Sequence, residues 1–275
     1  MILRRARVLL VAFAFVALLL NVRGNNFVSA ASLGASAQLQ LSGINQNVMS
    51  TPGTDPAVAA ASQTFTGGQF FEAASASGSA TFGTLTGVAS ATAVAPDSCS
   101  GGPGFCGNVL GRSGASFTDF LTITGGTGGL AFVAATGTST GTGTAELVLN
   151  LFDITSATGG QCVAFNAGSC TTPLAHISPG TNTLSLNEQL IVDALARLAS
   201  GGSVTVTSDF SHTGLLSTIH GFDVNGNELT DFTVTSESGF DYPTGPLNAT
   251  PEPATLVLCG TTLAAGLGWT GRRRR

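Results

Sequence analysis

The chain predicts an all-β fold, a single β-sandwich of jelly-roll-like build over residues 31–240, flanked by terminal segments with other tasks. Three observations carry this. Turn residues recur throughout, with 37 glycines and 10 prolines in 275 residues, and short apolar runs bounded by such residues belong to sandwiches and barrels. The body is rich in Thr, Ser, Ala and Phe; repeated Gly costs about 1 kcal/mol at each helix-interior position, whereas β-branched and aromatic residues suit a pleated surface. Setting both ends aside leaves roughly 220 residues, enough for one real core.

Leu33 to Gln40 alternates weakly and reads as a first strand leading into a turn-rich segment, Gly43 to Pro56. Thr64 to Val94, with Phe65, Phe70, Phe71 and Phe82 as its large apolar residues, disfavours helix. Ser116 to Thr124, Gly129 to Ala135, Ala145 to Ile154, Ser203 to Phe210, Leu215 to Val224 and Thr230 to Ser236 read as short strands bounded by Gly, Ser or Asn. Asn187 to Ala199 fits both periods: Leu190, Ile191, Ala194, Leu195 and Leu198 at helical spacing, Leu190, Val192, Ala194, Ala196 and Leu198 at strand spacing. Asn225-Gly226 predicts a type I′ hairpin turn, because both residues accept positive φ. From Gly239 onward Pro243, Pro246 and Pro251 indicate an extended linker, placed at 241–250.

Charge is segregated. Eight of the ten arginines lie in the terminal segments, and between Ala31 and Thr250 only Arg112 and Arg197 oppose fourteen carboxylates, a net charge of −12 with no lysine. Nucleic acid is thereby excluded as an expected partner, since binding it needs a basic face. At the start, Arg4, Arg5 and Arg7 precede the apolar run Val8 to Leu20, and Val28-Ser29-Ala30 offers the small residues that signal peptidase requires. Residues 1–30 are expected to be a signal peptide cleaved after Ala30.

At the other end, residues 254–271 form an uncharged stretch of 18, which as a helix reaches roughly 27 Å, enough to span a hydrocarbon core. Trp269 suits an interfacial anchor, and Arg272, Arg273, Arg274 and Arg275 hold the C-terminus on the cytoplasmic side. Pro251, Glu252 and Pro253 at the entrance, then the apolar helix, then the arginine cluster: this order resembles the PEP-CTERM sorting tail of exported bacterial proteins. The resemblance implies a surface protein whose tail, residues 251–275, is recognised and removed by exosortase, a membrane protease, in organisms that make extracellular polysaccharide. It implies a chain first anchored in the inner membrane, then displayed at the cell surface or released into the matrix, structural or exopolysaccharide-associated. No cofactor is expected. The body resembles members of that group loosely, in composition, around Ser208 to Tyr242, which implies strand for Asn187 to Ala199.

Four of the five cysteines form two close pairs, Cys99 with Cys106 and Cys162 with Cys170. In an exported chain these predict two local disulfides, each contributing roughly 2.5 kcal/mol by the chain-entropy model. Their spacing is wider than a zinc knuckle's, and no metal is expected. Cys259 lies in the apolar tail and reads as packing. For hydrolytic chemistry, Asp209, His212 and Ser217 approach a triad by residue type but lack a nucleophile elbow. A polysaccharide hydrolase would instead need two carboxylates about 5 to 10 Å apart in a cleft, with Asp119 and Glu146 as candidates. His176, His212 and His220 show no metal-ligand spacing. Asp223, Asn225, Asn227 and Glu228 open like a calcium loop, but Gly226 comes too early and no Glu follows at the twelfth position, so a hairpin turn explains them.

Thr136, Thr138, Thr140, Thr142 and Thr144 recur at every second residue. In a continuous strand they share one face. Such a ladder is the candidate binding surface for ice or carbohydrate, both of which are met by ordered hydroxyl and methyl groups; the plainer account is that Thr, with its high β propensity, fills a solvated sheet face.

Overall fold

The computed structural model describes residues 31–245 except 42–43, 52–53, 68–69, 96–106, 127–128, 178–181 and 199–200; within it, nothing is described of the side chains of 44, 67, 70, 107, 182 and 212–217. Fifteen strands and no helix make up the described residues. They are β1 (Ser32–Leu41), β2 (Ile44–Met49), β3 (Ala57–Gly67), β4 (Phe70–Thr81), β5 (Thr84–Ala95), β6 (Gly107–Gly125), β7 (Leu130–Ser139) and β8 (Thr144–Asp153). There follow β9 (Thr158–Phe165), β10 (Gly168–Thr171), β11 (Ala175–His176), β12 (Asn182–Leu198), β13 (Gly202–Asp223), β14 (Glu228–Leu229) and β15 (Phe232–Ser236).

These strands form a sandwich of two antiparallel sheets. The first runs β2-β1-β6-β12-β8-β9, with β15 also paired to β6; the second runs β10-β7-β13-β5-β4-β3, with β11 on β7 and β14 on β13. Most connections cross from one sheet to the other, and β1-β2, β3-β4-β5, β8-β9 and β13-β14 are hairpins within a sheet. Alternation drives the pairing: along β5, every second residue from Leu85 to Ala95 is buried and the residues between are half-exposed, the period-two pattern of a strand with one wet face.

The core has two textures. Toward β8 and β12 it is filled by large side chains, among them Leu147, Leu149, Leu151, Leu184, Leu186, Leu190 and Phe210. Toward β1 and β3–β5 it is mostly alanine, with Ala37, Ala59, Ala76, Ala89 and Ala91 buried. Small residues there let the sheets come into backbone contact. A Cβ on Gly111 of β6 would lie 2.6 Å from the Ser90 carbonyl oxygen and 2.8 Å from that of Ser75, in the opposite sheet; one on Gly78 would lie 2.5 Å from the Gly114 carbonyl oxygen.

Several sequence expectations need correction. The turn-rich segment after Leu41 contains β2. Ser116 to Thr124 is the end of a 19-residue strand, because Gly111 and Gly114 sit where backbones meet, not where the chain turns. The strands read at Ser203 to Phe210 and Leu215 to Val224 are one, β13, with a register irregularity between Phe210 and Gly214. The strand expected at Asn187 to Ala199 is present through Leu198, paired along its length with β6.

The Asn225-Gly226 turn exists but is not type I′. Gly226 has φ 81° and Asn225 is not among the positive-φ residues. The Gly226 amide donates to the Asp223 carbonyl at 3.0 Å and the Asp223 amide to the Asn227 carbonyl at 2.8 Å, the pattern of a type I turn closed by a left-handed glycine.

The domain also runs past residue 240, so the linker assigned to 241–250 begins too early. After β15 the chain returns across the end of the sandwich: Tyr242 is buried at 2 % exposure, and Thr244 bridges Ile219, whose amide donates to the Pro243 carbonyl at 2.8 Å.

Candidate functional site

The expected threonine ladder does not form. Thr136 and Thr138 lie on β7 in the second sheet, whereas Thr144 begins β8 in the first. Between them the chain crosses the sandwich, with Thr142 bridging Asp209 through bonds of 2.9 and 2.8 Å. Gly141 and Gly143 make the crossing possible. Gly143 has φ +97°, and a Cβ on either would collide with β13 at Ser208, Asp209 or Phe210.

A hydroxyl surface does exist, built across strands instead of along one. On the outer face of the second sheet the register places Ser62, Ser75, Ser90 and Thr207 side by side on β3, β4, β5 and β13. The next row is Thr64, Ala73, Thr92 and Thr205, in which the Thr92 and Thr205 hydroxyls bond at 3.1 Å. Neighbouring strands lie about 4.8 Å apart and same-face residues about 7 Å apart along each strand, so the hydroxyls form a two-dimensional grid. A shallow, open trough of about 360 Å³ lies here, lined by Ser62, Thr64, Ser75, Ser90 and Thr92 among others. No periodicity along the chain reveals this grid, because its members come from strands up to 145 positions apart.

The two carboxylates offered for a hydrolase do not meet. Asp119 faces the interior, fully buried, while Glu146 on β8 points to the outer face. Asp119 is fully occupied. Its Oδ1 accepts from the Phe120 amide at 2.8 Å and the Ser238 amide at 3.1 Å, and its Oδ2 accepts from the Tyr242 hydroxyl at 2.8 Å and from the Ser238 hydroxyl. Burial, then the bond to Asp119, pushes the Tyr242 phenol far above its usual range. This network fastens the returning C-terminal segment to β6.

Glu188 is the interior carboxylate that sequence reasoning missed. It lies on β12 opposite Phe117 and Leu149, is fully buried, and neither carboxylate oxygen has a hydrogen-bond partner among the described residues. Its Oε1 lies toward Gly137 of β7 in the opposite sheet, 3.7 Å from where a Cβ on that glycine would stand. Burial pushes its pKa up to about 8. A signal was available, since Glu188 shares the parity of Leu184, Leu186, Leu190 and Val192.

His220 shows no metal-ligand spacing in the sequence, but both its ring nitrogens are engaged. Nε2 lies 2.9 Å from the Thr136 hydroxyl, and Nδ1 lies 3.0 Å from Glu228 Oε1 and 2.7 Å from the Gly245 carbonyl oxygen. Hydroxyl, imidazole and carboxylate stand in the order of a base-activated nucleophile. The ring is only 2 % exposed, however, and the Thr136 hydroxyl is also 3.0 Å from that of Thr171. What the arrangement does is tie β7, the β13-β14 hairpin and the segment at Gly245 together.

Asp223 serves its own turn: Oδ1 accepts from the Asn225 and Asn227 amides and Oδ2 from the Asn227 side chain, each at 2.8 Å. These bonds lower its pKa. Among the described residues no group of three or more His, Cys, Asp or Glu is placed to hold a metal ion. Asp209 is exposed and accepts from the Ser211 amide; the side chains of His212 and Ser217 lie outside what is described. His176 stacks edge-on against Phe132. Arg112 forms a two-pronged ion pair with Asp193, at 2.6 and 2.8 Å.

Cys162 and Cys170 form the expected disulfide. It joins β9 at the edge of the first sheet to β10 at the edge of the second, so it staples the sandwich as well as closing a loop. Ala30, Cys99, Cys106, Pro251, Glu252, Pro253 and Arg272 to Arg275, with the apolar span between, lie outside the described residues.

The chain was compared with protein-family models, with curated proteins and with solved structures. None matches it.

Proposed function

We propose that this chain is an exported, non-enzymatic surface or extracellular-matrix protein, associated with exopolysaccharide and sorted through a PEP-CTERM tail. The observation that carries the reading is the order Pro251-Glu252-Pro253, an uncharged stretch of 18 and four arginines, with a signal-peptide pattern at the other end. The chain passes the inner membrane, loses its first 30 residues to signal peptidase, is held by the tail with its C-terminus in the cytoplasm, and is released by exosortase. Supporting it are an acidic body without lysine, a disulfide-stapled sandwich and hydroxyl-covered outer strands. The jelly-roll reading of the body rests on strand order: β5-β13-β7-β10 facing β6-β12-β8-β9, with the remaining strands added at the edges. The test is fractionation of a host that carries an exosortase. Replacing Pro251 and Glu252 with Ala should leave the protein in the membrane fraction, and normal release of that variant would count against the reading.

The binding reading keeps a place because of the cross-strand rows through Ser75 and Ser90. In it, the grid on β3, β4, β5 and β13 meets repeating glycan or ice hydroxyls through many weak contacts. Thr92→Lys should abolish polysaccharide pull-down and thermal hysteresis; retention of either activity by that variant contradicts it.

A further inference from the structure

We infer that β3 is a self-association edge, through which two copies of this chain join their second sheets into one. β3 ends that sheet, and no strand among the described residues pairs with its far side. An edge strand presents a row of unpaired backbone donors and acceptors, which proteins ordinarily blunt with charge, proline, bulges or shortness. β3 has none of these. Its 11 residues, AVAAASQTFTG, contain no charge and no proline, and its pairing to β4 runs without a register shift. The other sheet ends are shorter: β2 has 6 residues, β9 has 8 and β10 has 4.

The occupant is a second copy because the edge is complementary to itself. Two antiparallel β3 strands related by a two-fold axis make an isologous contact, and centring it on Ser62, the midpoint of Ala57–Gly67, uses the full length, roughly 37 Å. Ser62 then faces Ser62 of the other copy. On the same face Thr64 meets Ala60 and Thr66 meets Val58, which is 54 % exposed in the single chain; on the inner face Phe65 meets the small Ala59. Charge selects the same edge. The exported body carries a net −12, but residues 31–95, which include β3 and its neighbours β4 and β5, hold two ionisable side chains, Asp55 and the buried Glu72, so two acidic copies meet little repulsion when they approach from this side. The joined sheet would also carry the row through Ser62, Ser75, Ser90 and Thr207 across the axis, doubling its length.

Sedimentation velocity of the full chain over a dilution series tests this. The wild type should associate reversibly. Ser62→Lys and Ser62→Glu should each shift it to monomer, because like charges meet across the axis, and mixing the two variants should restore the dimer. Thr207→Lys, in the same row but on a central strand, should associate as the wild type does. A monomeric wild type, or Ser62→Lys and Ser62→Glu that each still self-associate, would overturn the proposal. Hydrogen exchange of the wild type supplies a reading without variants: protection of the β3 amides should rise with protein concentration, and concentration-independent exchange there also overturns it.

Discussion

Replacing Glu188 with Gln should change how stability depends on pH more than any other single substitution in the core. Glu188 is fully buried with both carboxylate oxygens unpartnered, and its pKa rises from 4.5 to about 8 through desolvation. Between those values the folded chain keeps a proton that the unfolded chain releases. Stability from this site is therefore fully present below about pH 4.5, falls as pH rises, and is lost once pH passes about 8. A shift of that size corresponds to about 5 kcal/mol across the window, a large part of the 5–15 kcal/mol that holds a domain together. Glu188→Gln keeps the shape and removes the ionisation. Urea unfolding with the disulfide intact, run from mildly acid to mildly alkaline pH, should show a wild type that weakens toward alkali and a variant whose curve lacks that component. Superimposable pH dependences for the two proteins would refute the argument.

Other substitutions probe the rest of the frame. Gly111→Val should destabilise by at least about 2 kcal/mol in chemical denaturation, because the added atoms meet the Ser75 and Ser90 carbonyls of the opposite sheet; Ser116→Val, outward on the same strand, should stay within about 0.5 kcal/mol. Tyr242→Phe should cost roughly 1–3 kcal/mol by removing one donor to the buried Asp119 carboxylate, and should raise proteolytic cleavage near residue 245. Cys162→Ser should lower stability by about 2–3 kcal/mol, and non-reducing peptide mapping should recover Cys162 linked to Cys170 in the wild type; free thiols at both positions in exported protein contradict the staple.

The β class and most strand cores were legible because alternation and turn residues are local. Thr64 to Val94 shows this: its Ala, Ser and Thr residues alternate between a dry face and a wet one, and β3, β4 and β5 follow. What misled was glycine. Gly111 and Gly114 look like chain reversals in the sequence, and are instead points where one sheet touches the other. The same ambiguity produced the threonine ladder: Thr136 to Thr144 has unbroken period two, but Gly141 and Gly143 mark a crossing between sheets. Contacts set by strand order were out of reach altogether. Thr136 and His220, 84 positions apart, meet because β7 lies beside β13. Tyr242 looked like linker because three prolines follow it, and its buried phenol on Asp119, with the Pro243 carbonyl on the Ile219 amide, holds it in the domain.

The proposed fate of the chain depends on its tail, and the mass of the mature protein reports on that tail. Intact mass spectrometry of the protein recovered from the surface or medium of an exosortase-bearing host should show a chain that begins at or next to Ala31 and lacks the peptide beyond Pro253. Recovery of the mature extracellular protein with Arg272 to Arg275 still attached would contradict the account.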